Sequence, residues 1–77
     1  MAATRTAEAH WEGSLKEGAG EVTLVSSGIG TYPVDWRART EQSNGMTSPE
    51  ELIAAAHSTC FSMSVANELV LAGNPAP

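Results

Sequence analysis

Residues 47 to 65, TSPEELIAAAHSTCFSMSV, open a run that meets neither glycine nor proline after Pro49 until Gly73. That uninterrupted run constrains the fold more than any other feature of the chain. Ser48 suits an N-cap, Pro49 the first helical position, and Glu51 stands three residues after the cap, where a capping box places its carboxylate. Gly73 followed by Pro75 is the usual order at a C-terminal stop. The pattern predicts one helix over residues 49–72, and at about 1.5 Å per residue it is roughly 36 Å long. A chain of 77 residues has too little other material to cover such a helix from end to end. From Ala54 to Ala66 most side chains are Ala, Ser, Thr or Cys, which lets a neighbouring backbone approach closely. A second copy of the same helix is the expected neighbour.

The first half of the chain reads as strands. Ala7, Ala9 and Trp11 alternate with Glu8, His10 and Glu12, the period of a strand with one covered face, placed over residues 6–13. SLKEGAG, with two glycines, reads as the turn into a second strand over 21–27, so a hairpin is expected. After SGIG the alternation resumes: Tyr32, Val34, Trp36 and Ala38 fall on one face, Asp35, Arg37 and Arg39 on the other, which predicts a third strand over 31–40. Pro33 cannot donate a ladder hydrogen bond, so that strand belongs at a sheet edge or begins after it. The expected fold class is α+β, three antiparallel strands followed by one long helix in a single domain of residues 1–77.

Charge and size exclude several classes of function. Nine acidic residues against four basic ones give a formal charge of -5, with no Lys/Arg cluster to neutralise a run of phosphates, so nucleic acid and anionic membranes are poor partners. Leu52 to Ala72 is long enough to span a bilayer but carries His57, Asn67 and Glu68, a polar load that a membrane span does not bear cheaply. The N-terminal stretch MAATRTAEAHWEG lacks the apolar segment of a secretory signal, and a lone cysteine suits a reducing compartment; a cytoplasmic location is expected. A domain this small buries only roughly 60% of its unfolded surface, and no disulfide can compensate. Help from another chain follows naturally.

Cys60 is the only cysteine of the chain, and buried filler is the commoner role of a free cysteine. A reactive cysteine must be ionised, which a helix N-terminus or a nearby cation favours. Cys60 lies about eleven residues into the helix, beyond the first-turn reach of the dipole, so a cation must come from elsewhere. Arg39, ahead of the loop that leads into the helix, is the attractive source. His57 stands one turn before Cys60, and the pair admits a Cys/His nucleophilic couple, a metal site, or a structural histidine. A metal would need two more ligands from His10 or scattered carboxylates, so none is expected. Glu51 belongs to the capping box, while Glu50 has no such local duty. Trp11 and Trp36 read as core or interface aromatics, and Met63, Val65 and Leu69 as core.

HWEG near the start, Arg39, and above all PEEL, AAAH and CFSM in that order between Pro49 and Met63 resemble the OsmC/Ohr family of organic hydroperoxide reductases, the OsmC branch in particular. The resemblance covers essentially the whole chain. It implies a peroxidatic cysteine at Cys60, an assisting arginine at Arg39 and a glutamate at Glu50 that holds the arginine. It implies an organic hydroperoxide substrate, an external dithiol reductant, an intertwined homodimer and no cofactor. Family members extend to nearly twice this length and carry a second, resolving cysteine downstream, so the chain is expected to correspond to an N-terminal half, with impaired turnover. The competing expectation is a non-catalytic dimerising module whose Cys60 is inert. Geometry adds one constraint. Ten helical residues separate Glu50 from Cys60, about 15 Å along the axis, so the two cannot meet in one chain; a shared site needs a second subunit.

Overall fold

The computed structural model describes residues 3–77. Three strands, β1 (Glu8–Glu12), β2 (Ala19–Thr23) and β3 (Thr31–Val34), form an antiparallel sheet in the order β1-β2-β3; a short helix α1 (Trp36–Thr40) and a long helix α2 (Pro49–Leu71) follow. The α+β layout is the expected one. Register is set by the hairpin after β1, which closes with the Gly18 amide on the Ser14 carbonyl at 2.8 Å and places Trp11 opposite Gly20. A Cβ on Gly20 would stand only 2.8 Å from the Trp11 ring, so the glycine is what lets the indole lie across β2. β3 is an edge strand, where the missing N–H of Pro33 costs no ladder bond. Thr23 and Thr31 pair across the sheet through their hydroxyls at 2.9 Å.

The second strand runs over 19–23 rather than 21–27, because beyond it the chain folds into a loop fastened by Gly28 N–H on the Leu24 carbonyl and Leu24 N–H on the Gly30 carbonyl. A larger correction concerns the third strand, expected over 31–40. It ends at Val34, and residues 36–40 are helical. Asp35 is the cause: its backbone is extended, and its carboxylate accepts the Ala38 N–H at 2.8 Å, the N-cap geometry that starts a helix. The alternation of apolar residues continued across Asp35 and concealed the cap.

Helix α2 begins as its sequence dictates. Ser48 accepts the Glu51 N–H, Pro49 occupies the first turn, and at the far end Gly73, at φ 75°, and Asn74 donate to the carbonyls of Val70 and Leu69 in a Schellman arrangement. Ser58, Thr59 and Ser62 turn their hydroxyls back onto helix carbonyls at 3.2, 2.7 and 2.8 Å. Around Cys60 the helix therefore offers a low, smooth surface with those donors already engaged.

The core predicted along α2 is not formed within the chain. Met63 is 66% exposed and Val65 43%, no residue of α2 is fully buried, and Ala38 is the only buried apolar residue among those described. At about 100° per residue, Ile53, Cys60 and Met63 lie on one side of α2 and Phe61 and Val65 on another, so apolar surface wraps more than one face, as in helices enclosed on several sides. The radius of gyration is 16.7 Å, against about 11–12 Å for a compact domain of this length. The accessible surface is 6290 Å², roughly 1,800 Å² more than a folded monomer of this mass exposes. The strands pack on one another, and α2 stands out largely uncovered.

Candidate functional site

The geometry of the site begins with α1. A strand would place Trp36 and Arg39 on opposite faces; on a helix, residues three apart are neighbours. The guanidinium carbon of Arg39 lies 5.7 Å from the centroid of the Trp36 ring, within cation–π range. The loop between the helices then returns the chain so that the first turn of α2 reaches α1, and Arg39 Nε donates to Glu50 Oε2 at 2.8 Å. Arg39 and Glu50, separated by eleven positions in sequence, are thus held together within one chain. Among the described residues no other acceptor takes a hydrogen bond from the Arg39 side chain, so its Nη groups are free to bind elsewhere.

Glu50 titrates below the usual carboxylate range. The hydrogen bond from Arg39 is the largest cause, a backbone N–H at the start of α2 and the guanidinium charge add to it, and partial desolvation opposes them. Both side chains remain about half exposed, 47% for Arg39 and 58% for Glu50, so solvent screens the pair and its value lies in orientation more than in stability. Beside the guanidinium opens a recess of about 300 Å³, lined by Trp11, Leu15, Val34, Asp35, Trp36, Arg39 and Pro49. Trp11 is fixed at its rim by its indole N–H, which donates to the Gly13 and Ser14 carbonyls at 3.1 and 3.3 Å. The hollow is mostly apolar, with the Arg39 guanidinium on its wall and the Asp35 carboxylate also there but engaged by the Ala38 N–H, and it suits a ligand with an apolar body and a polar reacting end.

Cys60 is a free, exposed thiol on α2. It stands ten residues beyond Glu50, about 15 Å along the helix, and Arg39 is tied to the other end of that interval. The structure thus unites Arg39 with Glu50 and leaves Cys60 apart from both in the same chain. His57 lies on α2 beside it, and among the described residues no three His, Cys, Asp or Glu side chains converge as a metal site would require. No helix of the described residues is long and apolar enough to cross a membrane. Sequence reasoning treated Trp36 as a packing aromatic and missed its place beneath the guanidinium; the signal was Asp35 as a helix cap, which converts the spacing of Trp36 and Arg39 into a contact.

Two curated proteins are similar to this chain. Peroxiredoxin OsmC of Escherichia coli (strain K12) and Peroxiredoxin OsmC of Shigella flexneri are each 42% identical to it over 73 residues, 95% of this chain and 50% of theirs. The chain spans about half the length of the curated relatives it matches. No protein-family model matches it.

Proposed function

The chain belongs to the OsmC family of peroxiredoxins, along the half of those proteins that it spans, and from that premise we propose that it forms a thiol-dependent peroxidase site for organic hydroperoxides. The observation that carries the proposal is the Arg39–Glu50 pair at 2.8 Å beside an apolar recess. Because Cys60 lies about 15 Å of helix away from Glu50, the sulfur that uses this guanidinium comes from a second subunit. Two copies related by a twofold axis then build two equivalent sites, each with Cys60 of one chain and Arg39 and Glu50 of the other. The uncovered surface of α2 and its smooth middle support this assembly.

In the proposed reaction the thiol first gives up its proton, and the guanidinium stabilises the resulting thiolate. Glu50 holds the Nε edge, so the Nη donors are available to the peroxide oxygens. Sulfur donates an electron pair to the terminal peroxide oxygen, the O–O bond breaks, and the leaving alkoxide takes a proton to become the alcohol. Cys60 is left as a sulfenic acid. Within these 77 residues Cys60 has no second cysteine to pair with, so in the proposed cycle of this chain an external dithiol reduces the sulfenic acid, which returns the thiol and releases water. A cytoplasmic setting, where dithiol reductants are plentiful, fits this requirement.

Loss of the free thiol against added cumene or tert-butyl hydroperoxide tests the proposal. Rapid stoichiometric loss, faster than that of free cysteine, is expected, followed by slow cycling with a dithiol; several rapid turnovers would refute impaired cycling, and a rate equal to free cysteine would refute the site itself. One observation favours a second reading, a non-catalytic dimerising module. Among the described residues of a single chain no arginine bonds to the exposed sulfur, Arg39 being held on Glu50 about 15 Å of helix away, and an assembly that left it so would make Cys60 inert.

A further inference from the structure

We propose that Trp36 is a positioning residue for the Arg39 guanidinium, fixing the tilt of its plane so that the Nη edge faces the partner's Cys60; the inference rests on the peroxidase reading above. A single hydrogen bond, from Arg39 Nε to Glu50 Oε2 at 2.8 Å, restrains one edge of the guanidinium but leaves rotation about the bond direction open. A second contact from a different direction removes that freedom. The Trp36 ring provides it, with the guanidinium carbon 5.7 Å from its centroid.

The backbone that carries the indole is itself well anchored. Asp35 caps the turn that begins at Trp36 through the Ala38 N–H at 2.8 Å, and the Thr40 hydroxyl donates to the Trp36 carbonyl at 2.9 Å. Trp36 is half-buried against the recess, whereas the Arg39 side chain is 47% exposed and would otherwise swing in solvent. Edge and face together orient a donor that must meet a sulfur arriving from another subunit, where small errors in angle are costly.

An exposed cation–π contact corresponds to about a two- to five-fold effect on the population of the oriented guanidinium. The test uses the 77-residue chain and measures the second-order rate of thiol loss with hydrogen peroxide and with cumene hydroperoxide. Hydrogen peroxide has no apolar body to place in the recess, so it isolates positioning from recess shape. W36L is expected to slow both peroxides by the same two- to five-fold factor, and W36F to restore most of the rate. Ring-fluorinated tryptophan incorporated at position 36 in a W11F background keeps the shape of the side chain while draining the electron density of its face. Compared with W11F protein carrying ordinary tryptophan, it is expected to slow both reactions in the same way, which keeps the proposal testable if W36L does not assemble. Unchanged rates with the fluorinated ring, or a loss in W36L confined to cumene hydroperoxide, would overturn the positioning role while leaving the peroxidase reading intact. A wild-type chain no more reactive than free cysteine would overturn both.

Discussion

Mixing two defective variants measures which chain supplies the arginine. In C60A the sulfur is lost but Arg39 and Glu50 remain paired; in R39L the sulfur remains but its proposed activator is gone. In the proposed twofold assembly, each homodimer lacks a complete site. Because Arg39 is bound to Glu50 at 2.8 Å and Glu50 is about 15 Å of helix from Cys60, a heterodimer of the two variants contains one complete site, with the sulfur of the R39L chain facing the arginine of the C60A chain. Equal amounts unfolded together in urea and refolded associate at random, so about half of the R39L chains, and hence about half of all thiols present, enter heterodimers. Stopped-flow oxidation by cumene hydroperoxide should then show two phases of nearly equal amplitude, the faster at the wild-type rate. R39L refolded alone should show only the slow phase. A mixture without any fast phase, in a sample shown by sedimentation to be dimeric, would refute assembly of the site from two chains.

Two further perturbations follow from the local structure. Ser48 is almost fully buried and accepts the Glu51 N–H at the start of α2, so S48A should lower the stability of the assembled protein by about 1 kcal/mol, read as a lower urea midpoint with an unchanged slope. Glu50 titrates below its usual range because Arg39 favours its ionised form, so the stability contributed by the pair is present above the unfolded carboxylate value, about 4.3, and is lost as pH falls through the lower folded value. The difference in melting temperature between wild type and E50Q should accordingly be largest near neutrality and shrink on acidification below about pH 4; a difference that grows in acid would contradict the cause assigned to the shift.

What could be read from the sequence was whatever a few adjacent residues decide. Ser48, Pro49 and Glu51 start α2, and Gly73 ends it, through bonds made within one or two turns, so the ends of that helix were legible to within a residue. The third strand was misread because Tyr32, Val34, Trp36 and Ala38 keep a period of two across the point where the Asp35 carboxylate captures the Ala38 amide. Periodicity describes which side chains share a face only after the backbone state is known. Met63 and Val65 were read as core for a related reason: an apolar residue signals burial, but not that the covering surface belongs to the same chain. The separation of Glu50 from Cys60 followed from helical rise alone. The contact between Arg39 and Glu50 did not, since it depends on how the loop over 41–48 returns from α1 to α2.

On the proposed mechanism, the Cys60 sulfur of the assembled protein is held ionised by Arg39 from the facing subunit. The most direct test of this is the rate of iodoacetamide alkylation of the dimer at pH 6 relative to pH 9. For an ordinary thiol that ionises near 8.5, the rate falls roughly 200-fold between those values. A thiolate stabilised by a guanidinium should lose less than about ten-fold, and R39L should return the ratio to the ordinary figure. A wild-type dimer that already shows the full 200-fold fall would contradict the account and leave Cys60 as a packing residue.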